Sequence, residues 1–95
     1  MSPDTLFKAL AKYVTKFAQT GITPGRYESD LPPLHGDAMR HAHWMCSELS
    51  RMALDPANRD KVNRWLGFVQ GVLWVTGLYS INEMREHNRD PKPEP

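Results

Sequence analysis

The stretch from Arg64 to Gly77, RWLGFVQGVLWVTG, constrains this chain more than any other part of it. At the helical repeat, Val62, Leu66, Val69, Leu73 and Thr76 form one stripe, and Trp65, Phe68, Val72 and Val75 form a second beside it. A helix that is apolar around most of its circumference is buried on several sides. The chain has only 95 residues, enough for one domain with a thin core. The sequence therefore predicts an all-α bundle whose apolar faces exceed what one copy covers, so that copies associate as a homo-oligomer.

The other helices are marked by local signals. Ser2, Pro3 and Asp4 supply a hydroxyl cap, a first-turn proline and an acid against the helix dipole. Leu6, Phe7, Leu10, Val14 and Phe17 then recur at helical spacing until Gly21, which predicts a first helix over about 3–19. A second helix is expected over about 37–54, capped by Asp37, with Ala38, Met39, Ala42, Met45, Cys46, Leu49 and Met52 or Ala53 inward. Asp55-Pro56 or Asn58 opens the third helix, and Gly77 ends it. Ser80 and Glu83 have capping-box spacing, with Tyr79 and Met84 in the staple positions, so a short fourth helix follows over about 81–89. Residues 1–90 read as a single helical domain and 91–95 as a flexible, proline-rich tail.

Residues 20–36 hold three prolines and three glycines and show no period. A loop of this length in so small a domain is either an ordinary exposed connection or a lid, with Arg26 and Tyr27 folding over a ligand.

Several functions are disfavoured by composition. Twelve basic residues against eleven acidic ones give a net charge of +1, which draws the chain to neither nucleic acid nor membrane. The N-terminal residues lack the pattern of a signal peptide, and the longest uncharged run, Trp65 to Asn82, is broken by glutamine, glycines, serine and asparagine. A cytoplasmic protein is expected, an assignment the lone Cys46 fits. His41 and His43 point in nearly opposite directions on a helix, while His43 and Cys46 make only two ligands, so no metal or cofactor is expected. Cys46 sits on an apolar stripe, and paired carboxylates, a Walker loop and GxGxxG are absent from the sequence. An enzyme is not expected.

The residues that break the packing logic are the candidates for binding. Gly67 and Gly71 lie four apart on one face, where each costs about 1 kcal/mol of helix propensity relative to alanine and lets another backbone approach closely. With Phe68, Val72 and Val75 they form the expected oligomer interface. The occupant of the glycine groove is either a protein helix or an anionic ligand, since Arg64 and Trp74 extend the strip at its two ends. Trp44 falls off the core stripe, beside Arg40, Glu48 and Arg51, as a second packing surface or a stacking platform. Gln70 needs a hydrogen-bond partner, found either in Asn63 across a homodimer interface or in the polar edge of a base. Arg85 and Arg89 share a face as alternative phosphate contacts, and Lys8, Lys12 and Lys16 form either a solvated face or an added electrostatic attraction.

At His41-x-x-Trp44-Met45, Arg64-Trp65-Leu66-Gly67-Phe68-Val69-Gln70-Gly71 and Ile81-x-Glu83-x-Arg85-x-x-Asn88-Arg89, residues 38–90 resemble small helical proteins encoded by tailed phages and prophages. The resemblance implies a phage origin and action in the host cytoplasm by binding. The first expectation is a counter-defence protein that sequesters a nucleotide-derived signal at Arg64, Trp44, Gln70, Trp74, Arg26, Arg85 or Arg89. The alternative is a modulator of a host protein, or an accessory factor in phage replication or gene expression.

Overall fold

In the computed structural model, which describes residues 1–92, four α-helices follow one another: α1 (Pro3–Gln19), α2 (His35–Met52), α3 (Arg59–Val75) and α4 (Ile81–His87). Among the described residues there is no strand. The tail expected over 91–95 lies outside them from residue 93 onward.

The caps read from sequence at the first and fourth helices form. The Ser2 hydroxyl accepts the amide of Thr5, and at α4 the Ser80 hydroxyl and the Glu83 carboxylate complete a reciprocal capping box. Two helices end in the same device. Gly21 (φ +80°) and Gly77 (φ +79°) turn the chain into the left-handed region that favours glycine. The next amide then reaches back five residues, from Ile22 to the Phe17 carbonyl and from Leu78 to the Leu73 carbonyl, each at 2.9 Å. Ile22 and Leu78 both pack on the core.

Three expectations need correction. Helix α2 spans His35–Met52 rather than 37–54, and no side chain caps it; Asp37 instead lies in its first turn, where its charge still suits the dipole. On α1 the buried face is Leu6, Ala9, Leu10, Tyr13 and Phe17, so that Tyr13 is wholly buried while Val14 is exposed. The start of the third helix divides in two. Asp55 caps a single 3-10 turn, Pro56–Asn58, through the Ala57 amide, and α3 begins after it.

Helix α2 packs against both α1 and α3, and α4 folds back on α1. The core holds Leu10, Phe17, Leu49, Val69 and Leu73 among its buried members, with Met84 the one buried side chain of α4. The molecule measures 49 × 28 × 18 Å, so its short dimension holds scarcely two helices of about 10 Å diameter. So thin a bundle leaves one side of α3 uncovered. No helix among the described residues is long and apolar enough to cross a membrane.

Candidate functional site

The uncovered side of α3 is the strip singled out by its glycines. Phe68, Trp74 and Val75 are 54%, 56% and 62% exposed, respectively. A Cβ built on Gly67 or Gly71 meets nothing within 4 Å, so both glycines face open space. Val72, expected beside them, is buried in the chain's own core and is not part of this strip. Arg64 is exposed one turn before Phe68, with no ion-pair partner among the described residues.

Phe68 connects this strip to a ladder of rings reaching α2 and the long loop. His41 meets Phe68 edge-on at 6.3 Å between centroids and Trp44 at 5.3 Å, and Trp44 leans on Trp65 at 6.1 Å. Trp44 and Trp65 each carry a cation: the Arg26 guanidinium stands 5.4 Å from the Trp44 ring and the Lys61 ammonium 5.1 Å from the Trp65 ring.

The loop is irregular throughout, yet it is fastened to α2. The Gly25 amide donates to the Arg40 carbonyl at 3.0 Å and the Tyr27 amide donates to His41 Nδ1 at 3.0 Å. Further back, His43 Nδ1 donates to the Ile22 carbonyl at 2.8 Å while its ring stacks on Phe17. His41 can accept from Tyr27 only with a bare Nδ1, that is, as neutral imidazole. Burial first, and then the nearby Arg26 charge, hold it below the usual histidine value. The loop thus brings Arg26 onto Trp44, although the two are far apart in sequence.

The other candidates are dispersed. Gln70 turns toward α1 and α4, where its Nε2 donates to the Tyr13 hydroxyl at 2.9 Å and to Asn88 Oδ1 at 2.6 Å. Asn88 Nδ2 returns a bond to Gln70 Oε1 at 3.2 Å. The amide finds its partners inside the chain, while Asn63 remains exposed. Trp74 lies at the far end of the α3 strip. Arg85 is exposed on α4, and Arg89 pairs with Glu86 at 3.0 Å. Sequence reasoning named Tyr27 only as part of a lid and passed over His41 as a member of this surface. The signal for His41 was its three-residue spacing from Trp44, which puts both rings on one helical face.

The cysteine and the concavities lie elsewhere. Cys46 is fully buried, and burial pushes its thiol up to about 12, far from a nucleophile's range. Among the described residues no three metal-ligating side chains come together. A hollow of about 410 Å³ lies near Leu6, Pro56, Arg59 and Val62, and another of about 460 Å³ near Lys8, Lys12, Lys16 and Tyr79. Neither includes Arg26, Trp44, Arg64 or Phe68.

No protein-family model, curated protein sequence or solved structure matches the chain.

Proposed function

We propose that this protein is a non-enzymatic binding protein that assembles with copies of itself through the open face of α3 and holds a flat, phosphate-bearing ligand beside it. The observation that carries this reading is the run from exposed Gly71 and Phe68 to half-buried His41 and Trp44 and on to exposed Arg26, in which aromatic rings and a cation adjoin. Rings offer stacking area at small entropic cost, and a guanidinium reads phosphate oxygens two at a time. Arg26, already seated on Trp44, is the first phosphate contact, and Arg64 extends the same surface along α3. Gln70, engaged with Tyr13 and Asn88, belongs to the bundle's interior and not to the ligand.

Oligomerisation is integral to the reading. A surface holds a small ligand weakly, whereas a pocket that buries most of the ligand holds it well, and a second copy laid over the glycine strip supplies the missing wall. With the phage-like motifs, the ligand class supported best is a nucleotide signal made in host defence, which the protein sequesters without altering. A phage-encoded modulator of a host protein is the second reading; it is favoured by the exposure of Phe68, Trp74 and Val75 along α3 in a single copy.

Calorimetry against cyclic di- and trinucleotides and ADP-ribose derivatives tests the proposal. The wild type is expected to bind at least one of them. Arg26→Ala is expected to lose about 1.5 to 3 kcal/mol, tenfold to a hundredfold or more in affinity, with the fold retained. Wild-type protein that binds none of the panel, and that co-purifies with a host subunit, favours the second reading.

A further inference from the structure

The binding surface makes no use of the polar cluster where α1, α3 and α4 meet. At its centre is Tyr13, 0% exposed, whose hydroxyl lies 2.9 Å from Gln70 Nε2 and 2.9 Å from His87 Nδ1. The Tyr79 ring stands edge-on to both, 5.6 Å from Tyr13 and 4.8 Å from His87. Gln70 Nε2 donates to the Tyr13 oxygen, and His87 Nδ1 is the acceptor this cluster places within reach of the Tyr13 proton. His87 accepts only while Nδ1 is bare, with the ring neutral and its proton on Nε2. A proton added to Nδ1 removes that acceptor, and the buried Tyr13 hydroxyl proton is left without one in this cluster.

Helix α4 has few other ties to the bundle. It has seven residues, far too few for an isolated helix to persist, and Met84 is its only buried side chain. Its remaining ties to the bundle are the Asn88–Gln70 amide pair and, just beyond the helix, Asp90, which accepts from the Ser2 amide through Oδ1 and lies 3.7 Å from the Met1 ammonium through Oδ2. We infer that His87 is a proton-operated latch: neutral, it fastens α4 to α1 and α3 through Tyr13, and protonated, it lets α4 come away while α1, α2 and α3 stay packed.

The groups facing His87 set the conditions under which the latch works. From α1 come Tyr13, the Lys12 ammonium and Lys16, which rests over the Tyr79 ring at 5.0 Å. The turn before α4 contributes Tyr79, and α4 itself contributes Glu83. From α3 comes only the neutral amide of Gln70. Burial is the largest influence and disfavours the imidazolium, Lys12 adds to it, and Glu83 opposes both, leaving His87 below its ordinary value of 6.5. The latch is therefore closed at neutral pH and opens on acidification.

Hydrogen exchange on the full chain, corrected for the intrinsic pH dependence of amide exchange, tests this in parallel with an NMR titration of the His87 ring. Between about pH 7.5 and about pH 5, protection of α4 is expected to fall about tenfold or more relative to α1–α3, with a midpoint that follows the His87 titration. His87→Asn keeps an acceptor near the place of Nδ1 but does not titrate, so in this variant the differential loss should vanish. Tyr13→Phe should loosen α4 at both pH values and move the His87 titration. Equal α4 protection at both pH values in the wild type, a measurement that needs no variant, overturns the inference. So does a pH dependence that survives in His87→Asn, or a His87 titration that Tyr13→Phe leaves unmoved.

Discussion

The Gln70 amide of α3 lies 2.9 Å from the Tyr13 hydroxyl of α1, and the same amide exchanges bonds with Asn88 at the end of α4. One side chain thus joins three helices, and among the described residues no buried polar side-chain atom is left without a partner. Gln70→Leu deletes that junction and strands the Asn88 amide. The expected loss is about 1 to 3 kcal/mol of stability, read from the midpoint of urea unfolding with the slope unchanged. A variant as stable as the wild type contradicts this account of the junction.

What the sequence made legible was local. Ser2, Ser80, Gly21 and Gly77 announced caps and stops because such motifs depend on residues within a turn of one another. That Gln70 must find a partner was equally legible, since the cost of a buried bare amide does not depend on the fold. Which partner it finds was not. Asn63 of a second copy was one candidate, but Gln70 turns inward to Tyr13 and Asn88 of its own chain, which lie 57 and 18 residues away in sequence. A similar gap explains Tyr13 and Val14: neighbours 100° apart both fit a broad apolar stripe, and only the position of α4 makes Tyr13 the inward one. The site fared likewise. Arg26 and Trp44 were each conspicuous alone, but their pairing rests on a bond from the Tyr27 amide to His41, which no periodicity encodes.

Acid should destabilise the protein in a definite window. His41 and His87 both accept hydrogen bonds through Nδ1 and both lie below the ordinary value of 6.5. The unfolded chain binds protons there while the folded one does not, so this stability is complete above 6.5 and is lost as pH falls from 6.5 toward the depressed values. Glu83 and Asp90, held below their ordinary 4.5 and 3.8 by hydrogen bonds from the Ser80 and Ser2 backbone amides, contribute only at lower pH. Urea midpoints should fall between about pH 7 and about pH 5, and His41→Asn combined with His87→Asn should flatten the profile. A wild-type profile that is already flat rules out the histidine linkage.

Cys46 should report on global opening. It is fully buried and its thiol is pushed up to about 12 by burial, so at neutral pH thiolate and access are both scarce. Alkylation by iodoacetamide should be far slower in the native protein than in urea, and its native rate should track the unfolding equilibrium across variants. Rapid modification of folded protein would mean that the α1–α2–α3 core opens locally at this point.

The glycines of α3 separate the fold from the assembly. A side chain at Gly71 meets nothing within 4 Å in a single copy, so neither alanine nor leucine there should disturb the bundle. Gly71→Ala should stabilise it, because alanine is favoured over glycine in a helix interior by about 0.5 to 1 kcal/mol. Gly71→Leu keeps much of that propensity gain but places a bulky side chain in the groove beside Phe68 and Trp74, where a second backbone approaches closely only if the groove stays empty. The two effects therefore divide: helix content and monomer packing persist in both variants, whereas overpacking of about 1 to 3 kcal/mol falls on the contact between copies in Gly71→Leu alone. Light scattering at micromolar concentration should show an assembly for wild type and Gly71→Ala, and a smaller species for Gly71→Leu with an unchanged circular dichroism spectrum. A wild type that is monomeric under these conditions, or a Gly71→Leu variant that assembles as the wild type does, would mean that copies do not meet across this face.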